Sequence, residues 1–162
     1  MSNKPYLKPN RLSDVISAIQ FIAMNERSSW SCKEWAEGIS GDAGKEEHWR
    51  AIFNDHSELF RKSPDNADHF ALIWRRALPR RFFRHERRML TQQEFDALPK
   101  DKQRWCSRPP VSEDQVKTLV EIAIALHAHQ QEQHRDWRWL APLLANALAA
   151  AAGAAFAILG LR

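Results

Sequence analysis

Seven arginines fall between Arg75 and Arg88 with one acid, Glu86, among them, and Phe82 and Phe83 are interleaved. Guanidinium groups make forked hydrogen bonds to phosphates and carboxylates, and aromatic rings offer faces on which bases stack. Arg80, Arg81, Arg84, Arg87 and Arg88 are therefore the candidate contacts for an anionic partner or a lipid headgroup. Against an anionic membrane, each such charge near the surface is worth ~1 kcal/mol. Nucleic acid is the less favoured partner at this point. The segment placed to enter a major groove, Lys45 to Arg50, carries Glu46 and Glu47 at its exposed start, and the loop after Ser63 carries Asp65 and Asp68. Recognition helices use Arg, Lys, Asn or Gln there, and two consecutive acids repel phosphates.

Other chemistry-bearing residues lead to less. His127, His129 and His134 are the densest histidine group. At ~100° per residue His127 and His134 share a helical face while His129 points away, and no cysteine is near to complete a zinc site. No metal and no cofactor are expected. Cys32 and Cys106 lie far apart with no C-x-x-C pattern, and read as reduced packing residues. Cys32 stands at a helix start beside Lys33, a setting that lowers thiol pKa values, but packing is the preferred reading. There is no G-x-S-x-G, P-loop or G-x-G-x-x-G, and five glycines leave little material for phosphate loops. No catalytic residue is named, and the chain reads as a non-enzyme.

The elements that would hold these residues follow from periodicity. Leu12, Val15, Ile16, Ile19, Ile22 and Ala23 share one face of a helix over 12–25. Ser31-x-x-Glu34 is a capping box opening a short helix with Trp35, Ala36 and Ile39 inward. After a turn at 40–44, a third helix near 45–57 carries Trp49, Ile52, Phe53 and His56. The period then drops to two, with Phe70, Leu72 and Trp74 on one face and Ala71, Ile73 and Arg75 on the other. Three helices and a hairpin with its tip at 63–69 predict a winged helix-turn-helix-like domain with Trp49, Phe53, Phe60, Phe70, Leu72 and Trp74 in its core. Residues 77–111 read as an irregular, Pro-rich, basic linker with one short helix opened by Thr91-x-x-Glu94. Ser112-x-x-Gln115 caps a long helix carrying Val116, Leu119, Val120, Ala123 and Leu126, which is expected to run on as a stalk.

Composition hides a sharp division. The chain has 162 residues, 44% of them hydrophobic, with 24 Lys plus Arg against 20 Asp plus Glu. Its mean hydropathy is −0.56 and its pI about 9.3. Yet Leu140 to Leu161 is an uncharged run, LAPLLANALAAAAGAAFAILGL. As a helix it spans about 33 Å, enough for a bilayer core. Trp137, Arg138 and Trp139 stand at its entry as interfacial anchors, and only Arg162 lies beyond it. The N-terminus, MSNKPYLKPN, lacks an apolar stretch, so no cleavable signal peptide is expected. The layout predicts a tail anchor in the inner (cytoplasmic) membrane, single-pass, with the N-terminal domain cytoplasmic. Ala145, Ala149, Gly153 and Ala157 form a small-residue stripe for helix–helix packing in the membrane, hence a homo-oligomer through the tail. Ten alanines, Pro142 and Asn146 favour the alternative, a buried Ala-rich core helix.

The fold class expected is mainly α with a small β-hairpin: an arm at 1–10, a winged-helix-like domain at 11–76, the linker at 77–111, a stalk helix at 112–138 and a transmembrane tail at 139–162. The stretches RLSDVISAIQ, ISGD…HW..IF..H.ELFR, FALIWRR and SRPPVSEDQVKTLVEIAIALH resemble a family of small bacterial proteins, many of them cyanobacterial, over most of the chain. That resemblance implies a winged-helix-type domain joined by a long helix to a hydrophobic C-terminal segment, with no activity attached. An N-carbamoyl-amino-acid amidohydrolase label carried by some similar proteins implies a small hydrolase. Such hydrolases need a paired-metal site of several His, Asp and Glu in a larger fold, and no motif here corresponds to it. The leading expectation is a non-enzymatic, tail-anchored protein presenting a cytoplasmic protein-interaction domain, with a lipid bilayer and an unknown protein as partners. The alternatives are a membrane-tethered nucleic-acid-binding regulator and the hydrolase.

Overall fold

The computed structural model describes residues 5–64 and 66–135. Helix α1 (Arg11–Met24) buries Val15, Ala18, Ile19, Ile22 and Ala23 along one stripe, as an apolar repeat at three and four residues must. Strand β1 (Trp30–Ser31) leads directly into α2 (Cys32–Ser40). Ser31 accepts from the Glu34 N–H while the Glu34 carboxylate accepts from the Ser31 N–H, so two N-terminal amides are satisfied reciprocally. The helix stops at Gly41, whose φ of 68° is the left-handed conformation that closes a C-terminus at no steric cost to glycine. Helix α3 (Glu46–Asp55) follows, burying Trp49, Ile52 and Phe53.

Strands β2 (Phe60–Lys62) and β3 (His69–Leu72) form an antiparallel hairpin, and β1 pairs with the other edge of β3, giving the order β1-β3-β2. Phe70 and Leu72 face the core, and the Trp35 indole N–H donates to the Phe70 carbonyl at 2.9 Å, tying α2 to the central strand. Phe53 packs edge-on to Phe60 at 5.0 Å and against Phe70 at 5.1 Å. Each such buried side chain contributes roughly 1.5–3 kcal/mol of burial free energy.

Alternation does not continue past Leu72. The chain turns into a short 3-10 segment, Trp74–Ala77, and the inward and outward roles exchange. Trp74, expected in the core, is 37% exposed, while Arg75, expected outside, is fully buried. A strand keeps a period of two only while it stays extended.

Residues 77–111, expected to be irregular, contain a second sheet. Strands β4 (Phe82–Phe83), β5 (Arg88–Met89) and β6 (Cys106–Ser107) are antiparallel in the order β5-β4-β6. Helices α4 (Gln92–Ala97) and α5 (Lys100–Gln103) lie between β5 and β6. Phe82, Leu90, Cys106 and Ser107 are its buried residues.

Helix α6 begins at 113 and is described to 135. Ser112 and Gln115 exchange capping hydrogen bonds at 3.1 and 3.3 Å. It is not a free stalk. Leu119 and Ala123 are buried in the main core, and Val116, Val120, Ile122 and Leu126 pack against it. The Val111 N–H donates to the Ala23 carbonyl, which joins the approach of α6 to the end of α1. The N-terminal arm is docked too. Tyr6 is buried, its hydroxyl donates to Glu58 at 3.1 Å, and its N–H donates to the Gln130 side chain at 3.2 Å.

The single-pass membrane architecture is corrected. Among the described residues no helix is long and apolar enough to cross a membrane. Helix α6 has the length, but Glu113, Asp114, Lys117, Glu121, Glu132 and Arg135 give it a charged surface that hydrocarbon would not accept. The tail at 139–162, the anchors Trp137, Arg138 and Trp139, and the stripe Ala145, Ala149, Gly153 and Ala157 lie outside the described residues. The fold is mostly helical with two small sheets, and the inner-membrane location has no support in it.

Candidate functional site

A cleft of about 430 Å³ opens between the first sheet and the second. Its walls come from five separated pieces of chain: residues 27–29, the β2–β3 hairpin, the 3-10 segment after β3, the flanks of β4, and residues 104–108. Arg27, Arg61 and Lys62 line it from the first side, with Arg75 and Arg76 at the junction. Arg80, Arg84, Arg104 and Arg108 line it from the second. Among the described residues, nine cationic side chains and no acid thus line one cavity. Serines 28, 29, 63 and 107 supply hydroxyls between them.

The guanidinium groups are held in place by backbone. Arg80 Nε donates to the Cys106 carbonyl at 3.1 Å, and Arg84 Nε to the Trp105 carbonyl at 3.0 Å. Both bonds run from β4 to the β6 edge and leave the outer nitrogens of each fork available. Arg75 is buried and makes no ion pair among the described residues. Its Nη1 donates to the carbonyls of Ile22, Asn25 and Arg27 at 2.7–3.1 Å, and its Nη2 to that of Arg108 at 2.6 Å. Two of those carbonyls belong to the C-terminal end of α1, where the helix dipole favours a cation. Ser28 N–H donates to Ser107 Oγ at 3.1 Å, a second tie between the walls.

Like charges crowd the cleft. Burial and then the nearby charge of Arg108 push the Arg75 guanidinium down to about 10. Arg108 is lowered by burial and then by Arg80 and Arg76, and Arg84 by burial, then Arg27, with Arg80 adding to it. Among the described residues Arg61, Lys62, Arg76, Arg80, Arg84, Arg104 and Arg108 have no carboxylate within ion-pair distance, and only Arg27 does, 3.5 Å from Glu34. The Arg75 and Arg108 Nε atoms are buried without a hydrogen-bond partner. An anion in this space would relieve that mutual repulsion.

An exposed aromatic group stands beside Arg84, one of the lining residues. Trp105, between the lining residues Arg104 and Cys106, is 41% exposed. The His85 ring lies 4.8 Å from its centroid, and the Arg84 guanidinium stands 5.3 Å over it.

The five arginines singled out from the sequence are divided by the fold. Arg80 and Arg84 line the cleft. Arg81 is half-buried and is not part of the lining. Arg87 pairs with Glu26 at 2.9 Å, and Arg88 is clamped by Glu86 at 2.6 Å and Glu94 at 2.8 Å. The cleft instead recruits Arg27, Arg61, Lys62, Arg76, Arg104 and Arg108, which sequence reasoning missed. These are scattered over four segments, so no local charge window marks them; only Arg76 stood inside the cluster.

The start of α3 is acidic, and its arginine is occupied by three carboxylates. Arg50 is bound by Glu46, by Glu47 at 3.1 Å and by Asp68. Cys32 is fully buried, and burial pushes its thiol up to about 12; burial also raises Cys106. His127 contacts the Tyr6 carbonyl at 3.1 Å and Gln131 at 2.7 Å, while His129 contacts Gln133. Among the described residues no three His, Cys, Asp or Glu side chains gather as a metal site. No known protein family, curated protein or solved structure matches this chain.

Proposed function

We propose that the chain is a nucleic-acid-binding module that grips a phosphate backbone in the cleft between its two sheets. The observation that carries this reading is the lining: among the described residues, nine cationic side chains and no carboxylate line one cavity. Eight of the nine are arginines, whose flat forks match phosphate oxygens better than the point charge of lysine. Serine hydroxyls, of which the lining holds four, are common phosphate ligands beside arginines. The sequence directed attention first to a protein-interaction role because the start of α3 and the loop after Ser63 are both acidic. The cleft draws none of its lining from α3, and Asp68 of the acidic loop is engaged by Arg50, although Ser63 and Pro64 at the start of that loop do belong to the lining.

Anisotropy of a labelled oligonucleotide titrated with the full chain tests the reading. Binding at low salt is expected, with log K falling linearly in log salt by about 0.7–0.9 per phosphate neutralised. Arg76→Glu with Arg104→Glu should abolish most of it. Absence of binding at low salt, or equal binding by that double variant, removes the proposal. Binding of an acidic peptide but no oligonucleotide would reassign the cleft to a protein partner.

A further inference from the structure

We infer that the cleft takes single-stranded nucleic acid, with an unpaired base stacked on Trp105 while the adjoining phosphates lie among Arg84, Arg104 and Arg108. This rests on the nucleic-acid reading above and names the form of the ligand. Three observations carry it. The first is the indole itself. Trp105 is 41% exposed although it belongs to a residue type that folding normally covers; it lies in sequence between the lining residues Arg104 and Cys106, and its ring stands against Arg84, a third. The ring is also held rather than loose: Arg84 donates to the Trp105 carbonyl at 3.0 Å and places its guanidinium 5.3 Å from the ring centroid, and His85 braces it at 4.8 Å. A pre-positioned aromatic face next to phosphate-binding cations is the combination that single strands use, since every unpaired base has a π-face to offer. In a duplex those faces are already covered by neighbouring pairs.

The second observation is the size of the cavity. About 430 Å³ is the scale of a small-molecule pocket, room for a nucleotide or two. Duplex docking instead presents a helix or ribbon to a groove about 12 Å wide. The third is the state of α3, the element whose place in the helix–turn–helix order would put it in that groove. Its first turn holds Glu46 and Glu47, and its arginine, Arg50, is occupied by three carboxylates from Glu46, Glu47 and Asp68. The surface that would read a duplex is acidic, and the cations gather instead in a separate cavity of small-molecule size.

The test uses the full chain, labelled oligothymidylate and a hairpin duplex with the same number of nucleotides, compared by anisotropy over a range of salt. Oligothymidylate is expected to bind more tightly than the duplex at each salt concentration. Trp105→Ala should weaken oligothymidylate binding by about tenfold without changing the salt slope, and Trp105→Phe should restore most of the loss. The duplex affinity should not respond to either variant. A melting curve matching that of the parent shows that the exposed indole was removed without loss of fold. If duplex and single strand bind alike, or Trp105→Ala leaves oligothymidylate binding unchanged, the single-strand inference fails and the nucleic-acid reading stands. If neither binds at low salt, both fall.

Discussion

The guanidinium of Arg75 donates to the carbonyl oxygen of Arg108 at 2.6 Å, so a cation buried at the exit of the first sheet holds the backbone just beyond the second. Its other nitrogen gathers the carbonyls of Ile22, Asn25 and Arg27. One side chain thereby joins the end of α1, the loop after it and the far wall of the cleft. It is a structural cation whose geometry creates a functional space.

Arg75→Met should therefore cost stability as well as binding. Four carbonyls lose their donor, one of them in a fully buried bond and three in part-buried ones, and a buried acceptor left unsatisfied costs ~1–3 kcal/mol before relaxation. A net loss of about 3 kcal/mol or more is expected in urea unfolding. A change within about 0.5 kcal/mol, the range of an ordinary surface substitution, would show that the carbonyls find other partners.

The division of the arginine cluster predicts unequal effects from equal changes of charge. Arg76→Gln with Arg104→Gln removes two cations that line the cleft and have no carboxylate partner among the described residues. Arg87→Gln with Arg88→Gln removes two that are engaged by Glu26, Glu86 and Glu94. The first pair should weaken oligonucleotide binding at least tenfold, to the ~1.4 kcal/mol scale. It should also flatten the salt slope by about 0.7–0.9 for each phosphate no longer neutralised. The second pair should change both little. Matching losses from the two pairs would mean that overall charge, not the cleft, drives binding.

Both thiols should resist modification in the folded protein. Cys32 and Cys106 are buried, and burial raises each above the ordinary thiol value. Reaction with a chromogenic disulfide reagent at neutral pH should follow unfolding of the chain, accelerating in step with added urea. Fast labelling of either cysteine in native buffer contradicts the structure.

Alkaline pH should destabilise the fold for the same reason. Between the ordinary value of 9.0 and about 12 the native chain keeps the Cys32 proton that the unfolded chain loses. The native state then binds more protons, so stability falls as pH rises. Tyr6 acts in the same direction, because burial, then the charge of Glu58 and its hydrogen bond, push the phenol upward. The melting temperature should drop from pH about 8 to about 11, and the drop should be shallower in Cys32→Ala. An identical profile in that variant would place the alkaline sensitivity elsewhere.

Ser31 offers a local check on the first domain. It caps α2 reciprocally with Glu34, in the same turn of chain that ends β1. Ser31→Ala should cost ~1 kcal/mol and leave oligonucleotide affinity unchanged, since Ser31 is not part of the cleft lining. Thermal melting and anisotropy on one preparation measure both.

Much of the local architecture is readable directly. Periodicity places the first helix at 12–25 where the structure has Arg11–Met24, and the boxes at Ser31, Thr91 and Ser112 each open a helix. These are interactions within four residues, so a short window of sequence contains both partners. The second sheet was not readable. Its strands are two residues each, too short to show a period, and β4 finds β6 more than twenty residues downstream. The exchange of Trp74 and Arg75 was hidden for a related reason: nothing in the alternating run announces that the strand ends at Leu72. The membrane expectation came from residues 139–162, beyond the described chain, while the described helices are too charged or too short to support it.

The sequence by itself determined the helices, their caps, and a surplus of arginine over acid in the middle of the chain. Propensity, capping and charge density are properties of neighbours along the chain, so they are fixed before folding brings distant segments together. Only the tertiary structure decided which cations act as a unit. It turned Arg87 and Arg88 toward Glu26, Glu86 and Glu94, buried Arg75 as a brace, and brought Arg27, Arg61, Arg104 and Arg108 to one cavity. Coulomb interactions depend on distance through space, and those distances are set by the docking of two small sheets, to which no single stretch of residues testifies.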